Sequence, residues 1–108
     1  QVNIDDEASK AGVHPDGLIE LAAAVSQLKN VRLRGLMIIP AIAETVEQQL
    51  DAFGRAQQLF SQLKTAHTTV DTLSMGMSAD MQAAISQGST MVRIGTALFG
   101  ERHTPNKQ

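Results

Sequence analysis

Cysteine, tryptophan and tyrosine are all absent from this chain, and each absence closes off a class of function. Without cysteine there is no disulfide framework, no thiolate zinc site and no thiol nucleophile, which is compatible with a reducing compartment. Three Phe are the only aromatic residues, so ring stacking cannot carry recognition. A specific site must rest on backbone amides, hydroxyls and a few charges. An excess of one charge is missing too. Nine basic residues against eleven acidic ones give a net charge of -2 and a pI of about 5.8, which leaves no cationic field to hold nucleic acid. No apolar run approaches the roughly 20 residues of a membrane helix, and no basic-then-apolar signal opens the chain. A cytoplasmic protein with no membrane contact is expected.

What is present is the composition of one globular domain: 108 residues, 43% hydrophobic and 19% charged. Gln1-Val2-Asn3-Ile4 alternates as a strand does. The chain thus opens inside a strand and without a methionine, which points to a piece of a longer protein. Leu18, Leu21, Ala22, Val25 and Leu28 recur at helical spacing and predict a helix over 16–29. Val31-Arg32-Leu33-Arg34 alternates with period two and runs into the continuously apolar Leu36-Met37-Ile38-Ile39, a strand entering a two-sided core. A second helical stripe, Val46, Leu50, Phe53, Ala56, Phe60 and Leu63, follows. Then come a short strand over 70–74, a helix over 79–87 closed by Gly88, and a strand over 91–94 leading into a terminal helical turn. The polar residues 101–108 read as a tail.

The order βαβαβαβ implies parallel pairing with right-handed crossovers, hence an α/β fold. Two architectures fit: a small open sheet with helices on both faces, or half of an eight-stranded TIM-type (β/α)8 barrel. The start inside a strand favours the half barrel.

Ligands of parallel α/β proteins sit beyond the C-terminal ends of the strands. Two loops there stand out. Leu73-Ser74-Met75-Gly76-Met77-Ser78-Ala79-Asp80 joins strand to helix through a glycine and two serines, with Ser78 placed as N-cap, and free amides at such a turn bind anions. Arg93-Ile94-Gly95-Thr96-Ala97 repeats the pattern. Two successive loops of this kind at the end of a barrel match its recurrent phosphate site. Arg93, set in an apolar strand, needs a partner: an ion pair with Asp71 or Asp80, or an acceptor on a ligand. Asp5, Asp6 and Glu7 read as a solvated acidic loop, and His14, His67 and His103 as surface residues. No metal site is assigned.

Leu73-Ser74-Met75-Gly76-Met77-Ser78-Ala79-Asp80, followed by Gly88-Ser89-Thr90-Met91-Val92-Arg93-Ile94-Gly95-Thr96-Ala97-Leu98-Phe99-Gly100-Glu101-Arg102, resembles the C-terminal signature of the pyridoxal 5′-phosphate (PLP) homeostasis proteins. Val2-Asn3-Ile4 with Ser9-Lys10-Ala11-Gly12, and Arg34-Gly35-Leu36-Met37-Ile38-Ile39-Pro40, resemble two further blocks, so the resemblance covers nearly the whole chain. It implies a barrel similar to the N-terminal domain of alanine racemase, with residues 1–100 as its C-terminal half. It also implies PLP as cofactor, held by a carrier or regulator of the vitamin B6 pool rather than by an enzyme. By position, Ser78, Gly95 and Thr96 resemble the phosphate-binding hydroxyl and amides, with Ser74, Met75 and Gly76 in the same loop. Arg93 resembles the arginine that faces the pyridine nitrogen, where a cation disfavours ring protonation and weakens the ring as an electron sink. Met37 and the 9–12 loop sit on blocks that line the same face.

In that family the Schiff-base lysine lies at the end of the first barrel strand, in a segment this chain lacks, and none of Lys10, Lys29, Lys64 and Lys107 replaces it. The expected partners are therefore PLP and either the N-terminal half of the barrel or a second copy of this chain. The alternative is a PLP-dependent amino-acid racemase. Racemization needs two acid/base groups on opposite faces of the substrate carbon, one of them a tyrosine in alanine racemase, and the absence of Tyr and Cys counts against it.

Overall fold

A computed structural model describes residues 1–8 and 11–95. A 3-10 turn at Pro15–Gly17 leads into α1 (Leu18–Ser26), followed by β1 (Gly35–Met37), α2 (Val46–Ala66), β2 (Thr72–Met77), α3 (Met81–Ser86) and β3 (Met91–Arg93). The strands form one parallel sheet in the order β1-β2-β3, with Leu36 opposite Leu73 and Ser74 opposite Met91. Val2 forms a parallel bridge to Ile38 on the free side of β1. From Val2 to β3, each new segment advances one place in the same direction.

The helices follow from that order. A right-handed crossover that always steps the same way must put every helix on the same face. Accordingly, α2 packs on β1 and β2, while α3 packs on β2 and on α2. The apolar stripe of α2, with Phe53, Ala56, Phe60 and Leu63 all buried, meets Leu36, Ile38, Leu73 and Met75 from the sheet. Leu18 and Ala22 of α1 join the same core. Thr45 starts α2 by accepting the Gln48 amide proton at 3.2 Å, and the Gln48 side chain accepts from the Glu44 amide at 2.7 Å. These bonds satisfy donors that a helix start leaves open.

Several boundaries differ from those read in the sequence. The opening strand is reduced to bridges at Val2, because its amide donates to the Met37 carbonyl while the neighbouring Asn3 amide turns to Val13. Residues 31–34 are not strand: the Arg34 carbonyl instead takes the amides of Asp71 and Thr72, and the ladder begins at Gly35. β2 starts two residues later than expected and runs on past Ser74 to Met77, so Met75 and Gly76 are strand residues rather than loop. The terminal helical turn and the tail lie outside the described residues.

Gly35 sits at the tightest approach in the sheet, where a Cβ would fall within 1.6 Å of the Thr72 carbonyl oxygen. Gly35→Ala must push the two strands apart, and it is expected to cost about 3 kcal/mol or more in urea unfolding, as overpacking against rigid backbone does. Beside it, Arg34 donates to both carboxylate oxygens of Asp71, at 2.9 and 2.6 Å. This bond, with a lesser one from the Thr72 hydroxyl, holds the Asp71 carboxyl below the usual carboxylate range. A depressed folded pKa stabilises above the unfolded value and loses its effect as the pH falls through the folded one. Asp71→Asn should therefore be slightly less stable than the parent at neutral pH, by little because both side chains are solvated. The difference should close in acid, as urea midpoints against pH will show.

Candidate functional site

A cavity of about 310 Å³ opens at the C-terminal ends of the three strands, where a parallel sheet is expected to bind its ligand. Its walls are the 39–43 segment after β1, Gln49 of α2, Gly76 and Met77 of β2, Ala79 and Asp80 before α3, and Arg93 at the end of β3. Arg93 is half-buried. Its Nη2 donates to the Ile38 carbonyl at 3.1 Å, and its Nη1 is buried with no hydrogen-bond partner among the described residues. Neither carboxylate that the sequence offered it is engaged: Asp71 belongs to Arg34, and Asp80 turns back to accept the Met77 amide proton at 2.7 Å. A guanidinium stays charged in a protein, and a buried donor left open costs about 1–3 kcal/mol. Arg93 therefore brings a guanidinium to the cavity wall, with one buried donor unpaired among the described residues.

The other sequence-derived residues are distributed around this point. Gly76 lines the cavity, in a stretch where the β2–β3 register slips between Ser74 and Met77. At its φ of +101°, a Cβ would lie 2.7 Å from the Ala84 Cβ. The glycine thus lets α3 close onto the sheet. Ser74 is buried within β2, and its carbonyl accepts the Ile38 amide proton. The Met75 side chain is fully buried in the core under the helices, so only its backbone can face a ligand. Ser78 is half-buried between two cavity-lining residues, but the N-cap of α3 is Asp80, which corrects the capping role expected of Ser78. Gly95 is exposed, with open space where a side chain would stand. Thr96 lies outside the described residues, as do Ser9 and Lys10. Ser89 and Thr90 stitch β3 to β2: the Ser89 hydroxyl donates to the Met75 carbonyl at 2.6 Å, and the Thr90 hydroxyl accepts the Leu73 amide proton at 2.8 Å.

The 39–43 wall went unselected in the sequence, although the loop after Ile39 stands at a strand end. Its signal was an apolar run through a proline, with no polar residue to mark it. Asp5 is likewise no free member of a solvated acidic loop: it accepts the Ala41 amide proton at 2.6 Å and a bond from Arg55 at 3.1 Å. A larger depression, about 620 Å³, opens at the opposite end of the sheet, beside Lys29, Arg32 and His67. There α1 and α2 end, and helix C-termini repel anions. Among the described residues, no group of three or more His, Asp or Glu gathers to hold a metal ion, and no helix is long and apolar enough to cross a membrane.

Residues 1–103 match the family described as the alanine racemase N-terminal domain, and the chain belongs to that family. Within it, the chain is 55% identical over 102 residues to a pyridoxal phosphate homeostasis protein of Vibrio cholerae, covering 94% of this chain and 43% of that protein. It is 52% identical over 107 residues to the protein of the same name in Escherichia coli, covering 99% of this chain and 46% of that one. The chain thus spans a little under half the length of these curated relatives. Among solved structures, it superimposes on PipY of Synechococcus elongatus, determined with PLP bound, with a TM-score of 0.77 and 35% identity, covering 85% of this chain and 44% of PipY. A protein of unknown function from Bifidobacterium adolescentis gives a TM-score of 0.84 at 34% identity, covering 91% and 40% of the two chains.

Arg93→Met removes one neutral acceptor contact and one unsatisfied buried donor together. These nearly cancel, at about 1.5–3 kcal/mol lost, because the guanidinium donor is charged, against about 1–3 kcal/mol regained. Without ligand the variant should be nearly as stable as the parent in urea unfolding, whereas a structural ion pair at Arg93 would make it clearly less stable.

Proposed function

We propose that this chain is the C-terminal half of a (β/α)8 barrel, with residues 1–100 forming part of one domain, and that the barrel holds PLP in the cytoplasm as a carrier or regulator of the vitamin B6 pool. The observation that carries this reading is Arg93 in the wall of a cavity at the strand ends, with its Nη1 unpaired among the described residues. A pyridine nitrogen is an acceptor that could satisfy such a donor, and a guanidinium beside it keeps that nitrogen unprotonated. Bound PLP would supply an aldehyde able to condense with amines. Arg93 would face its ring, and the exposed backbone at Gly95, with Thr96 and Ser78, would cradle its phosphate. Ser74, Met75 and Gly76 would contribute through their strand backbone.

The barrel reading is supported by the sheet order, in which every segment from Val2 to β3 advances in one direction, whereas a doubly wound sheet reverses about its first strand. Apolar residues left exposed at the sheet and beyond α1 agree with it. Met77 and Met91 of the sheet are 48% and 53% exposed, and Leu28 beyond α1 is 57% exposed. The partner that would cover them is the N-terminal half or a second copy. A cooperative, well-folded monomer of this segment at micromolar concentration, seen by light scattering, would contradict that arrangement. The relatives' names and the PLP in PipY agree with a binding role, and with no Tyr or Cys in the sequence we favour a carrier over a racemase.

The test is PLP binding by the full chain, measured by equilibrium dialysis. Gly95→Leu enters open space, so its stability should stay within about 0.5 kcal/mol of the parent, while PLP affinity falls because backbone and phosphate can no longer approach. Arg93→Gln should also lose affinity. Unchanged PLP binding in both variants would defeat the proposal.

A further inference from the structure

The wall of the cavity formed by residues 39–43 belongs to no strand or helix, and Ile42 within it is wholly exposed. Ala41, Ile42 and Ala43 form a partition. On one side they line the cavity that contains Arg93; on the other they line a second one, of about 400 Å³, whose floor includes Asp5, Asp51 and Arg55. A loop of small apolar residues has no side-chain donors with which to fix its own position. It is tied down from behind.

The tie runs through one guanidinium. Arg55, on α2, donates from Nη1 to the Ile4 carbonyl at 2.8 Å, from Nη2 to Asp5 Oδ1 at 3.1 Å, and from Nε to Asp51 Oδ2 at 3.1 Å. The other oxygen of Asp5 accepts the Ala41 amide proton at 2.6 Å. Three segments distant in sequence thus meet at one planar fork: the chain after Val2, the loop after β1, and α2. Arginine suits this task, because its donors are fixed in a plane and can serve three acceptors at once, whereas a lysine ammonium is a point charge on a flexible stem. Asp5 is the relay, for one carboxylate oxygen meets the cation and the other holds the loop.

We propose that Arg55 is a positioning residue for the ligand cavity: acting through Asp5, it holds the Ala41 amide and so sets the wall of the space that Arg93 lines. This rests on the reading of that space as the PLP site. Arg55 does not line that cavity, and its effect on the ligand is indirect.

The experiment measures PLP affinity by equilibrium dialysis, together with thermal midpoint and amide exchange over residues 39–43, in the full chain and in Arg55→Met, Asp5→Ala, the double variant and Arg55→Lys. Arg55→Met and Asp5→Ala should each weaken PLP binding by about tenfold, the equivalent of one charge-assisted hydrogen bond. The double variant should bind no more weakly than either single one, because both act through the same amide. Exchange at Ala41 should accelerate in all three, and Arg55→Lys should recover only part of the affinity. If the parent binds PLP and the single variants bind it equally well, the positioning role is wrong while the PLP reading stands. Additive losses, or losses that track the thermal midpoint with exchange rising throughout the chain, also overturn it. A parent that does not bind PLP removes the reading beneath it, and the inference with it.

Discussion

The burial of one face of the parallel sheet beneath α2 is the constraint on which the other features rest. Phe53 and Leu63 from the helix, with Ile38, Leu73 and Met75 from the sheet, are the largest side chains wholly removed from water in the interior between them. At roughly 25 cal/mol per Å² of apolar surface, such a layer is the dominant favourable contribution a small domain has. It fixes the strand register, because a slip of one residue would turn Leu36, Ile38 and Leu73 to the opposite face. It also fixes where polar chemistry can be placed: at the strand ends and on the face the helices leave uncovered.

Arg93 stands at that boundary. Its Nη1 is buried and unpaired among the described residues, a cost that an apolar residue of similar length would avoid. The nearby carboxylates are committed elsewhere, Asp71 to Arg34 and Asp80 to the Met77 amide. In the proposed site, such a donor would meet an acceptor without an existing bond having to break.

The parts legible in the sequence were those governed by periodicity. The stripe of α2 from Val46 to Leu63 showed itself because it is long and amphipathic, and the apolar run from Leu36 to Ile39 marked the buried centre of the sheet. What escaped was set by tertiary hydrogen bonds. Ser74-Met75-Gly76 has the composition of a turn, yet the neighbours on both sides, β1 and β3, supply ladder partners that make it strand, so context overrode propensity. Residues 31–34 alternate like a strand but find no ladder, their last carbonyl being taken by the Asp71 and Thr72 amides. Ser78 has a capping side chain at a plausible place, and the helix starts two residues later. Arg93 was legible as a charge needing a partner; that its expected carboxylates were already engaged was not, because Arg34 and Asp71 lie 37 residues apart.

The same division accounts for the acidic stretch at the start of the chain. Asp5 looked like one solvated carboxylate among three, since nothing local distinguishes it from Asp6. In the folded chain Asp6 is exposed, whereas the Asp5 side chain is only 23% exposed and meets Arg55 from across the fold. An arginine in the middle of an amphipathic helix is ordinarily read as surface charge, and by exposure Arg55 fits that description. Its role follows instead from three acceptors arranged to suit one planar donor set, an arrangement no short-range pattern encodes. A ligand site built on a parallel sheet depends on such long-range bonds, because its loops come from separate crossovers and share no sequence neighbourhood. The core brings the strand ends together, and Arg55 with Asp5 ties the loop after β1 to α2 and to the start of the chain.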